Sequence, residues 1–446
     1  MNPPTPVAVP AASSIGAPRD ENNAPEVGEP ENTFVQHTPR ARYPGAIIEG
    51  KVMQPERPLA IAHEADVLVV GGGPAGFAAA VAAARTGAKT ILLERYGYLG
   101  GLWTGGLVLL IYPTYAMENG VRTKVLRGVG EELLGRIARI RHGIVDYNDG
   151  ETDPTSDPEI TKVAMDEMVQ EAGVKMLFHS WVADVVMEGS SVRGVIVESK
   201  SGRQAVLAKV IVDASGDGDV FAAAGAGFEQ HNFPIGLVHR LGNVDRVDVA
   251  KLKAAGARII GNVEPLPGVK WVNHRGENAD GLDPAVLSRL EMAHRRSIWE
   301  RVQKLRATPG AEEVFLLQTA PQLGVRITRL LEAMKQLKDA ERVAHTIFPD
   351  TIGVGGTYGS GRKNPGWRIP YGCMIPRTVD NVIAAGRCIS VDLRLIEDMR
   401  LIATCLITGH AAGVAAALSV KCRCRPRDVD VHELQKILRS QGAYLG

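Results

Sequence analysis

The sequence predicts an α/β fold, and three observations predict it. A short unbroken apolar run, Asp66-Val67-Leu68-Val69-Val70, passes through a glycine cluster into an Ala-rich helical stretch that Gly87 stops, and Thr90 to Leu93 is a second apolar run. There are 49 glycines among 446 residues and only 5% aromatic residues, a composition suited to close backbone packing and tight strand-to-helix turns. Near the other end the pattern returns: Asn381 to Ala385 reads as a strand, Gly386-Arg387 as a turn, and Leu401 to Val420 as a helix.

The length allows two or three domains with large cores. With 51 Lys and Arg against 50 Asp and Glu the net charge is +1, so no electrostatic footprint for nucleic acid is present. Five cysteines, odd in number and without paired CxxC units, fit a reduced cytoplasmic chain with no metal site. The first twenty residues have neither a basic n-region nor an apolar core of signal-peptide length. The Leu401 to Val420 run approaches membrane-spanning length, but its small residues and His410 favour a buried helix.

Residues 1–45 are rich in Pro, Ala, Glu and Asn and are expected to form a flexible extension. Asp66 to Leu93 forms a strand, helix, strand unit of about thirty residues with a parallel crossover. Lys162 to Ala172 is an amphipathic segment and Lys175 to Phe178 a strand. Val182 to Val186, Val192 to Ser199 and Gln204 to Leu207 read as an antiparallel meander with turns at Gly189 and Gly202, followed by a separate buried strand, Lys209 to Asp213. Helices are expected at Pro284 to Arg306 and Thr328 to Lys338, and the Gly353-Val-Gly355-Gly356 stretch is read as a loop. The domain expectation is a discontinuous dinucleotide-binding domain over 46–235 and 371–446, three-layered with the meander inserted, and a mixed α+β substrate or cap domain over 236–370.

Gly71, Gly73 and Gly76, with Pro74 and Ala75 between the last two, satisfy G-x-G-x-x-G immediately after a strand and at the start of a helix. The first glycine permits the tight turn, the second lets backbone approach a pyrophosphate, and the third lets helix pack on strand. The helix N-terminus then offers free N–H groups to phosphate. Glu94 closes the second strand eighteen residues after Gly76, where a carboxylate accepts from ribose hydroxyls. This is a Rossmann-like unit. Three features favour FAD over NAD: the Gly100-Gly101 loop, the strand ending in Asp213-Ala214-Ser215-Gly216-Asp217, and the distant Gly386-Arg387 turn, since a ligand as long as FAD takes contacts from separated segments.

These stretches in order, ADVLVVGGGPAGFAAAVAAARTGAKTILLERYGYLGG, VDASGDGDVFAAAGAGFE, RLGNVD, QLGVRITR, IPYGCMIP and NVIAAGRCISVDLRLIEDMRLIATCLITGHAAGVAAAL, resemble the FAD-dependent oxidoreductase family related to glutathione-reductase-like and succinate-dehydrogenase-like flavoproteins, over about residues 50 to 420. The resemblance implies that Gly71, Gly73, Ala75 and Gly76 cradle the pyrophosphate and that Glu94 with Arg95 holds the adenosine ribose. It implies that Gly100, Gly101 and Leu102 line the flavin path, that Val182 bonds the adenine through its backbone, and that Ser215 and Gly216 lie beside the cofactor. Gly386, Arg387, Arg400 and Ile402 would approach the ribityl and isoalloxazine end. The chain departs from the family in carrying His239 where an apolar residue often precedes the arginine of R-x-G-N-V-D.

Among candidate catalytic groups, His239 with Arg240 is the first choice for a base or substrate contact. Arg326 and Arg329, three apart at an expected helix start, are placed to clamp a carboxylate. Tyr358, Lys363, Trp367 and Tyr371 are candidate pocket residues on a glycine-rich loop. Asp392, Glu397 and Arg400 surround the expected flavin end, with Arg400 able to neutralise a reduced flavin. His410 reads as a core histidine rather than an attachment point, and Cys422-Arg-Cys424 as incidental. The expected function is a soluble flavoenzyme holding FAD noncovalently and moving a hydride between a small-molecule substrate and flavin N5, as dehydrogenase, oxidase or reductase. No second G-x-G-x-x-G unit is found, so a separate electron acceptor or donor is expected, and a homo-oligomer is left open. The competing readings are a single-component flavin monooxygenase, against which Gly386-Arg387 stands where Gly-Asp is usual, and a non-catalytic flavin-binding assembly or regulatory module.

Overall fold

The computed structural model describes residues 45–147, 153–356 and 365–446; the expectations for residues 1–44, Tyr358 and Lys363 fall outside the described residues. Two units are distinguished, Met1–Pro58 and Leu59–Gly446. In the first, Ala46–Ile48 and Lys51–Met53 form an antiparallel hairpin. The second begins with β1 (Ile61–Val70), α1 (Pro74–Arg85), β2 (Thr90–Leu93), α2 (Val129–Ala138), α3 (Pro158–Glu171) and β3 (Lys175–Leu177). Next come β4 (Trp181–Glu188), β5 (Ser191–Ser199), β6 (Gly202–Asp213), β7 (Leu237–Gly242), β8 (Asn262–Val263), β9 (Lys270–His274), α4 (Pro284–Arg306) and β10 (Phe315–Thr319). The chain closes with β11 (Arg329–Leu331), β12 (Thr351–Gly355), β13 (Val382–Ala384), α5 (Ile402–Cys422) and α6 (Val431–Ser440).

The fold is mixed α/β. Its main sheet has the order β4-β5-β6-β1-β2-β3, with β13 paired to β6. The β6/β1, β1/β2, β2/β3 and β6/β13 pairs are parallel, and β4, β5 and β6 form an antiparallel meander. The two strands expected at Gln204 to Leu207 and Lys209 to Asp213 are one twelve-residue strand. The reason lies in its neighbours. Its first half pairs with β5, its last three residues pair with β13, and β1 runs beside it from Ala205 to Asp213, so Ala208 and Lys209 have no cause to break the ladder.

Helix α5 explains the long apolar run. Among the described residues it is the one helix long and apolar enough to cross a membrane, and nearly all of it is buried inside the protein. Its glycines let it lie against α1: a Cβ at Gly409 would fall 2.1 Å from Ala75 O, and one at Gly413 would fall 2.1 Å from Ala79 O. Every α1 residue from Ala75 to Ala83 is buried. Small residues on both helices therefore permit backbone-to-backbone approach, and hydropathy here records a central core helix.

Two further expectations are corrected. Thr328 to Lys338 is not a helix: Arg329–Leu331 is β11, paired antiparallel with Phe228–Gln230, and Ala333 and Leu337 bridge to Pro376 and Val391. The apolar residues Ile327, Leu330, Leu331, Ala333 and Leu337 bury an extended segment, not a helical face. Nor is Gly353 to Gly355 a loop. It lies in β12, wholly buried and paired with Trp367–Pro370. Its glycines make room for side chains, since a Cβ at Gly353 would meet Ile407 at 2.2 Å and one at Gly355 would meet Trp367 at 2.5 Å.

A second apolar cluster forms around the four-stranded sheet β8-β9-β7-β10. Helix α4 is capped by Asp283, whose carboxylate accepts from the Ala285 and Val286 N–H groups. It buries only Leu290, His294, Ile298 and Val302, a four-residue spacing that makes one narrow stripe. Leu107 and Leu109 join this cluster, whereas Ile327, Leu330, Leu331, Ile352, Trp367 and Ile369 contribute to the main core.

Candidate functional site

The first turn of α1 starts at Gly73, with Pro74 at its first position and no side-chain cap, so its leading N–H groups are free for a ligand. The three glycines divide their work. Gly71 has φ +97° and no space for a side chain, with Ala214 O 2.5 Å from a built Cβ; a Cβ at Gly76 would lie 1.7 Å from Gly71 O. At Gly73 the nearest atom to a Cβ is Gly101 Cα at 4.0 Å, and φ is an ordinary −67°. Thus two glycines permit chain contact and the middle one keeps a space open.

That space belongs to a cavity of about 480 Å³. Of the sixteen residues expected at a cofactor, Gly71, Gly73, Pro74, Ala75, Glu94, Arg95, Gly101, Leu102, Val182, Ser215, Gly216, Gly386, Arg387 and Ile402 line it. Gly76 and Gly100 do not. Gly76 serves the turn just described, and the Gly100 N–H donates to Gly72 O at 2.8 Å. Both therefore shape the cavity from behind its wall.

Glu94 does more than the sequence suggests. Its Oε2 accepts from the Gly72 N–H at 2.6 Å and its Oε1 from the Tyr96 N–H at 2.8 Å, tying the glycine turn to the end of β2. Burial pushes its carboxyl above the usual range, while the two amides and Arg95 pull the other way. A carboxylate has about four lone-pair positions, so two occupied ones leave acceptor capacity for ribose hydroxyls. Arg95 lies over the rings of Tyr96 and Trp181 at 5.0 and 5.1 Å, which builds a planar cationic surface beside it.

Across the cavity, Arg387 Nη2 donates to Asp217 Oδ1 at 2.7 Å, and its Nη1 is buried without a partner. A side chain at Gly216 would strike this guanidinium at 2.8 Å. Asp219 also lines the cavity, and burial, with Asp213 and Asp217 nearby, raises its carboxyl to about 6. Cys405 lines the wall near Gly386; burial holds its thiol neutral, pushed up to about 12. Open space at Gly73, free helix amides and an unsatisfied guanidinium donor together fit a long dinucleotide with a diphosphate.

The expected catalytic residues separate. Arg326 and Arg400 line the cavity, but His239 and Arg240 do not. On β7, strand alternation turns Val238 to the cavity and His239 to the opposite face, where its titratable neighbours are His274 and Arg301. His239 is buried, held neutral with its pKa pushed down to about 4, and its Nδ1 has no partner. Arg240 shares the face of Val238, yet its guanidinium is occupied: Nε donates to Glu264 Oε1 at 2.8 Å, Nη2 to Glu264 Oε2 at 2.5 Å, and Nη2 to Asp157 Oδ2 at 3.4 Å. It is an internal ion pair joining β7 to the capping aspartate of α3.

Arg326 and Arg329 do not form a clamp. Arg329 Nη1 donates to Asp217 O at 2.9 Å and pairs with Asp219, while Arg326 alone reaches the cavity. Trp367 and Tyr371 are core residues, the latter donating from its hydroxyl to Pro426 O. Asp392 caps a short helical turn, Glu397 pairs with Arg400, and His410 bonds to Gln441. Sequence reasoning missed the wall given by β8 and β9, where Asn262, Trp271 and Asn273 line the cavity, and it missed Gln322. Alternation in Lys270–His274 puts Trp271 and Asn273 on one face, but only the sheet decides which face meets the ligand.

Comparison with known proteins places these features. The matched segment of thiamine thiazole synthase from Methanococcus vannielii is 31% identical over 163 residues, 34% of this chain and 56% of that protein. Urocanate reductase from Eggerthella lenta is 27% identical over 158 residues, 32% of this chain and 23% of that protein. The chain thus spans little more than half the length of the first of these relatives and under a quarter of the second. Among solved structures, a geranylgeranyl bacteriochlorophyll reductase-like protein from Thermoplasma acidophilum aligns over 85% of this chain and 84% of its own, at 14% identity and TM-score 0.46. The p-nitrophenol 4-monooxygenase of Pseudomonas putida aligns over the same shares at 14% identity and TM-score 0.42. The family model described as FAD dependent oxidoreductase matches residues 66–438, from the first strand of the glycine turn to the last helix. The chain belongs to the FAD-dependent oxidoreductase family.

Proposed function

We propose that this enzyme holds FAD noncovalently and oxidises or reduces a small organic substrate as a dehydrogenase, oxidase or reductase. One observation carries the reading: a single cavity is lined by the N-terminus of α1, by the Gly386-Arg387 turn and by the β7/β9 wall, so a cofactor and a second molecule can share it. Bound FAD supplies a ring that accepts or gives a hydride. The chain supplies the rest. Free amides at α1 and the open space at Gly73 hold the diphosphate, and Glu94 and Arg95 stand at the ribose. Arg387, fixed by Asp217, lines the same cavity and keeps one donor, Nη1, without a partner. The β7/β9 wall and the Pro321–Arg326 segment line the space left for the substrate. No second dinucleotide unit is read in the sequence, which supports an electron partner that is a separate molecule.

Anaerobic mixing of the FAD-loaded enzyme with a panel of small metabolites tests this. At least one compound should bleach the flavin absorbance near ~450 nm, the region of an oxidised flavin band. A protein that takes up no flavin on reconstitution contradicts the reading.

A further inference from the structure

The guanidinium groups of Arg326 and Arg400 belong to residues that line the same cavity. Arg326 Nη1 donates to Pro234 O at 2.5 Å, and among the described residues no carboxylate forms an ion pair with Arg326. Arg400 pairs with Glu397 through Nη2, but its Nε is buried with no partner. Burial is the main force acting against charge on Arg326, and Arg400 and Arg275 add to it while Glu397 opposes it; its pKa falls to about 10. Three cations therefore act here against one carboxylate. Gathering like charges in a partly desolvated wall is costly unless an anion joins them. A second observation points the same way. Trp271 is only 6% exposed, lines the same cavity, and its indole N–H is buried with no acceptor. An unmade buried hydrogen bond is costly, and a ligand oxygen that reaches the indole N–H removes that cost.

We propose that the molecule this cavity takes beside its cofactor is an organic acid, its carboxylate held by Arg326 and Arg400 and another of its oxygens accepting from the Trp271 indole N–H. The proposal rests on the flavoenzyme reading above and narrows it. Arginine suits the task because its planar fork matches two carboxylate oxygens at once. Neutral sugars, amines and unsubstituted aromatics leave Arg326 without a countercharge and are disfavoured.

The test uses the FAD-loaded enzyme and follows binding by calorimetry and by the shift of the flavin spectrum, without turnover. Short mono- and dicarboxylic acids are titrated beside their primary amides. At least one acid should saturate, and its amide should bind at least about tenfold more weakly, the scale of a charge-assisted bond lost. Arg326→Gln should lower that affinity at least about tenfold while FAD content is unchanged, Arg326→Lys should recover part of it, and Trp271→Phe should cost less than Arg326→Gln. If Arg326→Gln gives no folded protein, the acid and amide comparison on the unaltered enzyme decides alone. Equal binding of acid and amide overturns the proposal, as does acid affinity unaffected by Arg326→Gln. If Arg326→Gln or Arg400→Gln changes flavin retention but not acid binding, the cations serve the cofactor and the proposal fails. A neutral compound that reduces the flavin while no acid binds also overturns it, yet leaves the flavoenzyme reading standing.

Discussion

The two walls of the cavity are made in different ways. On the α1 side recognition is by backbone: glycines bring chain against chain, and the ligand meets amides. On the β7/β9 side it is by side chains from separate strands, Val238, Trp271 and Asn273, braced by the buried Arg240–Glu264 pair. Where backbone meets backbone, as at Gly71 and Gly76, the first wall tolerates no added atom, whereas the wall of side chains tolerates exchange but depends on the paired charges beside it.

The largest effect is expected at the contact of α5 with α1. A Gly413→Val substitution puts a branched side chain where even a Cβ lies 2.1 Å from Ala79 O, so the helices must part. The expected loss is at least about 3 kcal/mol in urea unfolding. An unchanged midpoint would show that the close approach is not needed.

The other wall is tested by Arg240→Met, which leaves the Glu264 carboxylate buried and alone. Calorimetric or urea unfolding should show a loss of about 3–5 kcal/mol, and replacing Glu264 as well, in Arg240→Met/Glu264→Leu, should recover most of it. Failure of the double variant to recover would mean that the loss comes from packing or from Asp157, the other carboxylate on Arg240, and not from an unpaired Glu264.

A smaller effect follows from the histidines. His239 and His274 behind the substrate wall and His410 behind the cofactor wall are each pushed down to about 4 by burial. Their unfolded value is about 6.5, so below that pH the unfolded chain binds protons that the folded chain refuses until about 4. Stability is therefore full above about 6.5 and falls as pH drops from there toward 4. Asp219, raised to about 6, acts in the opposite sense between about 6 and 4, but it is partly exposed and weaker. His274→Asn should flatten the fall of Tm between pH 7 and 4.5, and a slope equal to that of the unaltered protein would contradict the assignment.

The same division governs what could be read from the sequence. The glycine turn, Glu94, the Gly386-Arg387 turn and α4 were legible because each is local: turn geometry or one helical stripe fixes the residue type. Helix α2 was missed among polar residues; β11 was misread because its apolar spacing answers to Phe228, far along the chain, and β12 because its glycines make room for Ile407 and for Trp367 of the next strand. His239 illustrates the limit best. Its neighbour Val238 meets the cavity and it does not, a difference of one residue in a strand whose two faces are both buried. Arg326 reached the cavity, but its expected companion Arg329 turned to Asp219, and Arg400 took that place.

The central claim is that the diphosphate of FAD sits in the open space before α1. Gly73→Val tests it most directly, since φ at this position is ordinary and a Cβ meets nothing closer than Gly101 Cα at 4.0 Å. Measured on apoprotein and after titration with FAD, the variant should keep the thermal midpoint of unaltered apoprotein and bind FAD at least about a hundredfold more weakly, as expected when phosphate-to-amide bonds are blocked. Undiminished FAD affinity in a folded Gly73→Val protein would contradict the account.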